Sequence, residues 1–98
     1  MARLCIVTVL LLSAAPAHAT PPVDCVEVEA IVRYGAQGYD HWVSLESRCA
    51  LPVRCEVASD VNPEPQRIEL APGASTELLT FRGSPARTFT PRVSCQAR

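Results

Sequence analysis

The sequence predicts a small all-β protein, an antiparallel β-sandwich of about six short strands that two disulfide bonds hold together. Three observations carry this prediction. Apolar and polar residues alternate with a period of two in several short segments. Gly- and Pro-containing turns separate these segments. An even number of cysteines follows a predicted export signal.

The first 19 residues have the pattern of a cleaved signal peptide. Arg3 precedes the apolar run Leu4–Leu12, and Ala17-His18-Ala19 forms a small-x-small cleavage site. The apolar run is shorter than the roughly 20 residues of a membrane span. We predict cleavage after Ala19, with cleavage after Ala17 as the alternative. Thr20 then follows where a lipoprotein would carry Cys, so we expect residues 20–98 to form one domain without a lipid anchor, periplasmic or secreted.

Removing Cys5 with the signal leaves four cysteines, and an even number in a short exported chain predicts two disulfide bonds. Below roughly 80 residues a single core rarely stabilises a fold by more than about 3–5 kcal/mol, so such bonds matter. A metal site is the competing interpretation. It is disfavoured because zinc ligands usually lie closer together than Cys49 and Cys55, and His41 is the only histidine after the signal. We therefore expect no metal and no cofactor.

Four cysteines permit three pairings, and chain entropy separates these by only about half a kcal/mol. A first hairpin with its apolar residues opposed brings Cys25 close to Cys49. Cys55 and Cys95 both lie on the inward side of their predicted strands. We therefore favour Cys25–Cys49 with Cys55–Cys95. The other two pairings stay open, because strict alternation places Cys25 on the face opposite to Val26.

The first hairpin is predicted from two alternating segments and a glycine-containing segment between them. Val26–Val32 reads as a half-buried strand and His41–Ser47 as its partner. The segment Tyr34–Asp40 contains two glycines and is predicted to be a long loop.

The rest of the chain predicts four further strands. Pro63 and Pro65 exclude a central strand in the segment Asp60–Pro65, which is predicted to be a loop, and Pro72-Gly73 indicates a tight turn. Pro91 within the last segment indicates an edge, a bulge or a break. The predicted strands are Val53–Val57, Gln66–Leu70, Ser75–Arg82 and Arg87–Cys95.

Two segments resemble a known kind of module. Leu45–Val53 looks like the strand, turn and strand of bacterial immunoglobulin-like or fibronectin-type sandwiches, and Ile68–Ser75 is similar to their L-x-P-G-x-S turn. The chain after the signal also resembles short uncharacterised exported bacterial proteins. The resemblance implies a β-sandwich fold and brings no catalytic residue with it.

No arrangement of side chains in the sequence predicts catalysis. Asp40, His41 and Ser44 lie close in sequence but alternate between strand faces, so they do not converge as a nucleophile with its base. Glu27 and Glu29 share one face, where a solvated strand surface is the ordinary interpretation. We therefore do not expect an enzyme.

The candidate binding loop is an aromatic cluster around the first hairpin: Tyr34, Tyr39, His41 and Trp42. Exposed aromatic side chains on a loop can contact a protein or a glycan, although they can also simply cap the end of a sandwich. A formal net charge of −1 for the whole chain does not predict nucleic-acid binding. We expect a monomeric, non-enzymatic binding or structural module, and a small secreted enzyme inhibitor is the alternative.

Overall fold

A computed structural model describes residues 22–98, which contain six β-strands and confirm the all-β prediction. The predicted signal, both cleavage sites and the Thr20 position lie outside the described residues. In chain order the strands are β1 (Val26–Gly35), β2 (Gly38–Ser47), β3 (Val53–Ser59), β4 (Gln66–Leu70), β5 (Ser75–Ser84) and β6 (Pro91–Ala97).

The strands form two antiparallel sheets of three strands each, in the orders β1-β2-β5 and β4-β3-β6. The hairpin register places Val28 opposite Leu45 and Ala30 opposite Val43, so apolar residues are opposed as predicted. Since β2 and β3 are the central strands, their inward residues are the best covered.

The core lies between the two sheets and comes mainly from the central strands. Alternation explains its composition, because every second side chain of β2 and of β3 points to the same face. In β3, the buried positions alternate with the exposed Arg54 and Glu56. The buried apolar cluster consists of Val43, Leu45, Cys49, Val53, Cys55, Val57, Leu70, Phe89 and Cys95.

Two predicted boundaries are wrong. The segment Tyr34–Asp40 is not a long loop, because both strands continue through it and only Ala36-Gln37 connects them. The last strand begins at Pro91 and not at Arg87. Proline has no backbone N–H and fits best at the start of a strand, so the chain before it stays irregular although Phe89 is buried.

Both favoured disulfide bonds are present, Cys25–Cys49 and Cys55–Cys95. The bulge that strict alternation demanded at Cys25 is not needed, because this residue precedes β1 and its carbonyl accepts a hydrogen bond from the Arg48 amide at 2.8 Å. Cys55 and Cys95 are directly paired residues of neighbouring strands within one sheet. Two disulfide bonds fit an oxidising environment. In residues 22–98 there is no helix long and apolar enough to cross a membrane.

Candidate binding surface

The four residues of the predicted binding loop do not form one surface. The hairpin strands keep their alternation almost to the turn, so neighbouring side chains leave on opposite faces. Tyr34 and Tyr39 lie together at the hairpin end, His41 points into the core, and Trp42 lies on the outer face of the β1-β2-β5 sheet. Each part has a different set of contacts.

Tyr34 and Tyr39 are directly opposed in the hairpin and form an aromatic pair. Their ring centroids are 5.1 Å apart and the ring planes meet at 62°, an edge-to-face contact. Tyr39 is half-buried, whereas Tyr34 is 79% exposed. The pair therefore presents an apolar surface to solvent that contributes little to the core.

The end of the hairpin is fastened to β5, so its aromatic pair sits on a rigid support. The Gly83 amide donates a hydrogen bond to Oδ1 of Asp40 at 2.9 Å. Gly38 has φ of 132°, and a Cβ at this position would come within 2.8 Å of the Ser84 carbonyl oxygen. The close approach of these two backbones therefore requires glycine at this position.

His41 is not exposed with the other residues of the predicted binding loop, which corrects its expected place on that surface. Its side chain is fully buried and stacks on Phe89, with the ring centroids 4.4 Å apart and the planes at 14°. Nε2 lies 2.8 Å from the Ala86 carbonyl oxygen. A carbonyl only accepts, so Nε2 carries the proton and donates it. The histidine thus holds the segment between β5 and β6 against the core.

Trp42 belongs to a separate cluster on the outer face of the sheet. Arg33 covers its ring, with the guanidinium carbon 5.2 Å from the ring centroid. The same guanidinium donates two hydrogen bonds to the carboxylate of Glu77, at 3.0 and 3.1 Å. The hydrogen bond to Glu77 raises the pKa of Arg33, so this cation keeps its charge. Ile31 and Leu79 are the cross-strand neighbours of the tryptophan.

Sequence reasoning missed the contact between Arg33 and Glu77, which are 44 residues apart in the chain. No local pattern signals this pair, because it forms only where β1 and β5 lie on either side of β2. Arg33 also lies just beyond the predicted strand Val26–Val32, so the sequence assigned it no strand face.

The described part of the chain shows no constellation for metal binding, with no group of three or more His, Cys, Asp or Glu side chains placed to hold an ion. Asp40 bonds to the Gly83 amide, His41 is in the core, and Ser44 pairs with Glu29 and Glu77 across the outer face. These three side chains are not brought together. Comparisons with protein-family models, curated proteins and solved structures give no match to this chain.

Proposed function

We propose that this protein is an exported, non-enzymatic module that binds a protein partner through the aromatic pair at the β1–β2 hairpin end. One observation carries the proposal: Tyr34 is 79% exposed while its ring is held against Tyr39 on a fastened hairpin. The fold gains little from an aromatic ring in this position. A partner that buries the ring would gain the apolar contact area.

The rigidity of the hairpin favours recognition. A tyrosine has two side-chain torsions and loses little conformational entropy when a partner covers it, which is why tyrosine is common in protein-binding surfaces. Gly38 and the bond from Gly83 to Asp40 fix the backbone beneath the ring in advance. Pre-organisation of this kind lowers the entropic cost of association.

A protein partner fits this pair better than a glycan does. The two ring planes meet at 62°, so Tyr34 and Tyr39 do not present one flat platform on which a sugar ring could stack. Their edge-to-face arrangement instead forms a projecting ridge, which suits an apolar recess on a protein surface. Trp42 does not extend the ridge, because it lies on the outer face of the sheet, where Arg33 covers its ring.

The proposal has two further parts. The protein is exported to the periplasm or the cell exterior, and its fold is an immunoglobulin-like sandwich. Two disulfide bonds support an oxidising compartment, in line with the signal pattern of the first 19 residues. The sheet orders β1-β2-β5 and β4-β3-β6 support the immunoglobulin-like part of the proposal, because such sandwiches pair strands A-B-E and C′-C-F in these orders. The disulfide between β3 and β6 differs from the inter-sheet bond of antibody domains.

The test compares Tyr34→Ala with Leu51→Ala, a matched change at another exposed apolar residue, 67% exposed and outside the hairpin. The immobilised oxidised protein is used to capture partners from the secreted proteins of its source culture, with quantification by mass spectrometry. We expect wild type, Leu51→Ala and Trp42→Ala to capture the same partner in similar amounts. With Tyr34→Ala the captured amount should fall at least about tenfold, as for a binding hot spot.

Three outcomes would contradict the proposal. Capture that is unchanged in Tyr34→Ala removes the aromatic pair from the binding surface. Binding on a glycan array that depends on Trp42 identifies a carbohydrate module instead. Dose-dependent inhibition of a protease or lysozyme panel that survives Tyr34→Ala identifies the inhibitor that the sequence offered as the alternative.

A further inference from the structure

Four strands lie at the edges of the two sheets, and three of these edges are protected. An exposed edge offers unpaired backbone groups to another chain, so natural proteins cover or interrupt it. Along β5, the side-chain amide of Asn62 donates to the Thr80 carbonyl at 2.7 Å, and that of Gln66 donates to the Leu79 carbonyl at 2.9 Å. These amides occupy edge carbonyls that a new strand would need.

The edges of the second sheet are protected in other ways. The segment before β1 covers one end of β6. Pro22 of this segment bridges to Gln96, and the Val23 amide donates to the Cys95 carbonyl at 2.9 Å. Pro91 occupies the other end of that strand. Strand β4 has only five residues, and a segment containing Pro63 and Pro65 precedes it. Short strands and prolines discourage pairing.

Within the described residues, β1 has no covering segment and no side-chain amide on its outer backbone groups, and its charged side chains are of both signs, so they discourage pairing less with an antiparallel copy than with other strands. It is ten residues long and contains no proline, and within residues 22–98 no backbone hydrogen bond reaches it from its outer side. Val28 is 42% exposed although it points toward the second sheet, and Ala30 on the same face is also exposed. The core therefore stops short of this edge, which remains both apolar and able to pair.

We propose that β1 pairs with β1 of a second copy, antiparallel and with Ile31 on the two-fold axis, to form a continuous six-stranded sheet. In this register, residues whose numbers add to 62 lie opposite each other. Glu29 then faces Arg33 of the second copy, and symmetry repeats the pair on the other side of the axis. Val28 faces Tyr34 of the second copy. This inference goes beyond the proposed function and departs from the monomer expected from the sequence.

Charge selects this register. The outer row of β1 reads Glu27, Glu29, Ile31 and Arg33, so the strand is acidic at one half and basic at the other. Antiparallel pairing brings opposite halves together, and opposite charges across strands stabilise a sheet. A two-fold axis at Glu29 would instead oppose two glutamates. An axis at Ala30 would pair Arg33 with Glu27, which is bonded to Arg48 at 3.2 Å, and would leave Glu29 opposite Ile31. The axis at Ile31 instead gives a partner to Glu29, which has no ion pair within the described residues, although Arg33 must leave Glu77 to form it.

Arg33 lies on the face that the contact uses, and its side chain turns toward the open edge to make it. In the single chain its guanidinium lies over Trp42 on β2 and bonds to Glu77 on β5, which is the direction away from that edge. This ion pair is exposed to solvent and stabilises the fold only weakly, so exchanging Glu77 for Glu29 of the second copy costs little.

The two-copy arrangement also accounts for the exposed apolar residues of the strand. Val28 and Tyr34 are two of the three large hydrophobic side chains that are exposed in residues 22–98, and both lie on β1. The proposed register places them opposite each other, so it covers Val28 and the side of the Tyr34 ring that faces the open edge, and leaves the rest of that ring to the partner of the proposed function. Tyr39 lies on the β2 side of the hairpin and stays accessible. The dimer would carry its two hairpin ends at opposite ends of the sheet, as a bivalent module.

The test reverses the charge at position 29 in one variant and the charge at position 33 in a second variant. Glu29→Arg places Arg opposite Arg33 of the second copy, and Arg33→Glu places Glu opposite Glu29 of the second copy, so each homodimer holds two like-charged pairs. We expect either change to raise the dimer dissociation constant by at least about tenfold. An equimolar mixture restores both Glu–Arg pairs, so we expect it to form a heterodimer with wild-type affinity, measured by sedimentation velocity over a concentration series and by native mass spectrometry.

Two further variants control for unfolding and for general charge effects. Glu46→Arg makes the same exchange on the same face but on the central strand β2, and it should leave the dimer intact. Val28→Lys places a charge on the apolar side of the edge and should abolish the dimer, while circular dichroism still shows a folded chain.

A wild-type protein that sediments as a monomer at all concentrations would overturn the proposal. A dimer that the exchanges leave unchanged, or a mixture that stays monomeric, would also overturn it. These failures leave the Tyr34-dependent capture of a partner intact. Conversely, capture that is indifferent to Tyr34→Ala refutes the proposed function and leaves the heterodimer result unaffected.

Discussion

Three aromatic residues that lie within four positions of the chain have three different environments. Tyr39 pairs with Tyr34 at the hairpin end, His41 is buried against Phe89, and Trp42 lies under Arg33 on the outer face. Alternation along β2 separates His41 from Trp42, while the irregular register between Tyr39 and His41 in the pairing with β5 marks the end of the regular ladder. An aromatic cluster in sequence is therefore not a cluster in space.

Substitutions should separate the structural residue from the exposed one. We expect His41→Ala to lower the free energy of unfolding by about 3 kcal/mol, because it empties a fully buried site and removes the donor to Ala86. Tyr34→Ala should change it by less than about 0.5 kcal/mol, since the ring is mostly exposed. Urea denaturation of the oxidised protein at one low concentration provides both values. A larger loss for Tyr34→Ala than for His41→Ala would contradict these assignments.

At the scale of elements, the first hairpin shows why glycine alone is a weak signal for a long loop. Gly35 and Gly38 are the last residue of β1 and the first of β2, and a turn of two residues joins them. Glycine at such a position permits a tight turn and a close backbone contact as readily as a flexible segment. The neighbouring β5 decides between these possibilities, because its end lies directly against Gly38.

Two glycines with positive φ form a matched pair for testing this contact. Gly73 has φ of 76° and open space around the Cβ position, whereas a Cβ at Gly38 would meet the Ser84 carbonyl. We expect Gly73→Ala to cost about 1 kcal/mol from backbone strain alone. Gly38→Ala should cost at least about twice that amount, because a steric clash is added to the strain. Equal thermal destabilisation of the two variants would show that the hairpin end moves away from β5 freely.

At the scale of the whole molecule, the two disulfide bonds fasten different parts of the sandwich. Cys25–Cys49 joins the segment before β1 to the segment after β2, and Cys55–Cys95 joins β3 to β6 in the centre of the core. By the chain-entropy estimate the two bonds contribute about 3.5 and about 4 kcal/mol. Because the two disulfide bonds contribute similar amounts to stability, we expect burial, and not loop length, to set the order in which the bonds are reduced.

We predict that mild reduction opens Cys25–Cys49 first. Cys25 is partly exposed, whereas Cys55 is fully buried and Cys95 is 4% exposed. A thiolate must reach a sulfur atom in order to attack it. Alkylation during a titration with dithiothreitol, followed by peptide mapping, should label Cys25 and Cys49 while Cys55 and Cys95 are still bonded. Early labelling of the second pair would contradict this order.

Much of the fold could be predicted from the sequence, and much less of the candidate site. Most of the strands and the hairpin register of Val28 with Leu45 follow from alternation along the strands. Both favoured disulfide bonds are present, although alternation placed Cys25 on the wrong face and left the other two pairings open. The shared surface of four aromatic residues does not form, since His41 is a core residue. Its burial depends on Phe89 and Ala86, which lie more than 40 positions away in the chain.

By itself, the sequence determined the all-β class, the face on which each strand side chain lies, and the number of bonded cysteines available. These are local properties, because a period of two and a cysteine count need no partner element. Tertiary structure alone decided which faces are covered, that β5 lies beside the hairpin, and that β1 remains an open edge. The physical reason is that burial and strand pairing depend on residues distant in sequence, and alternation carries no information about which strand becomes a neighbour.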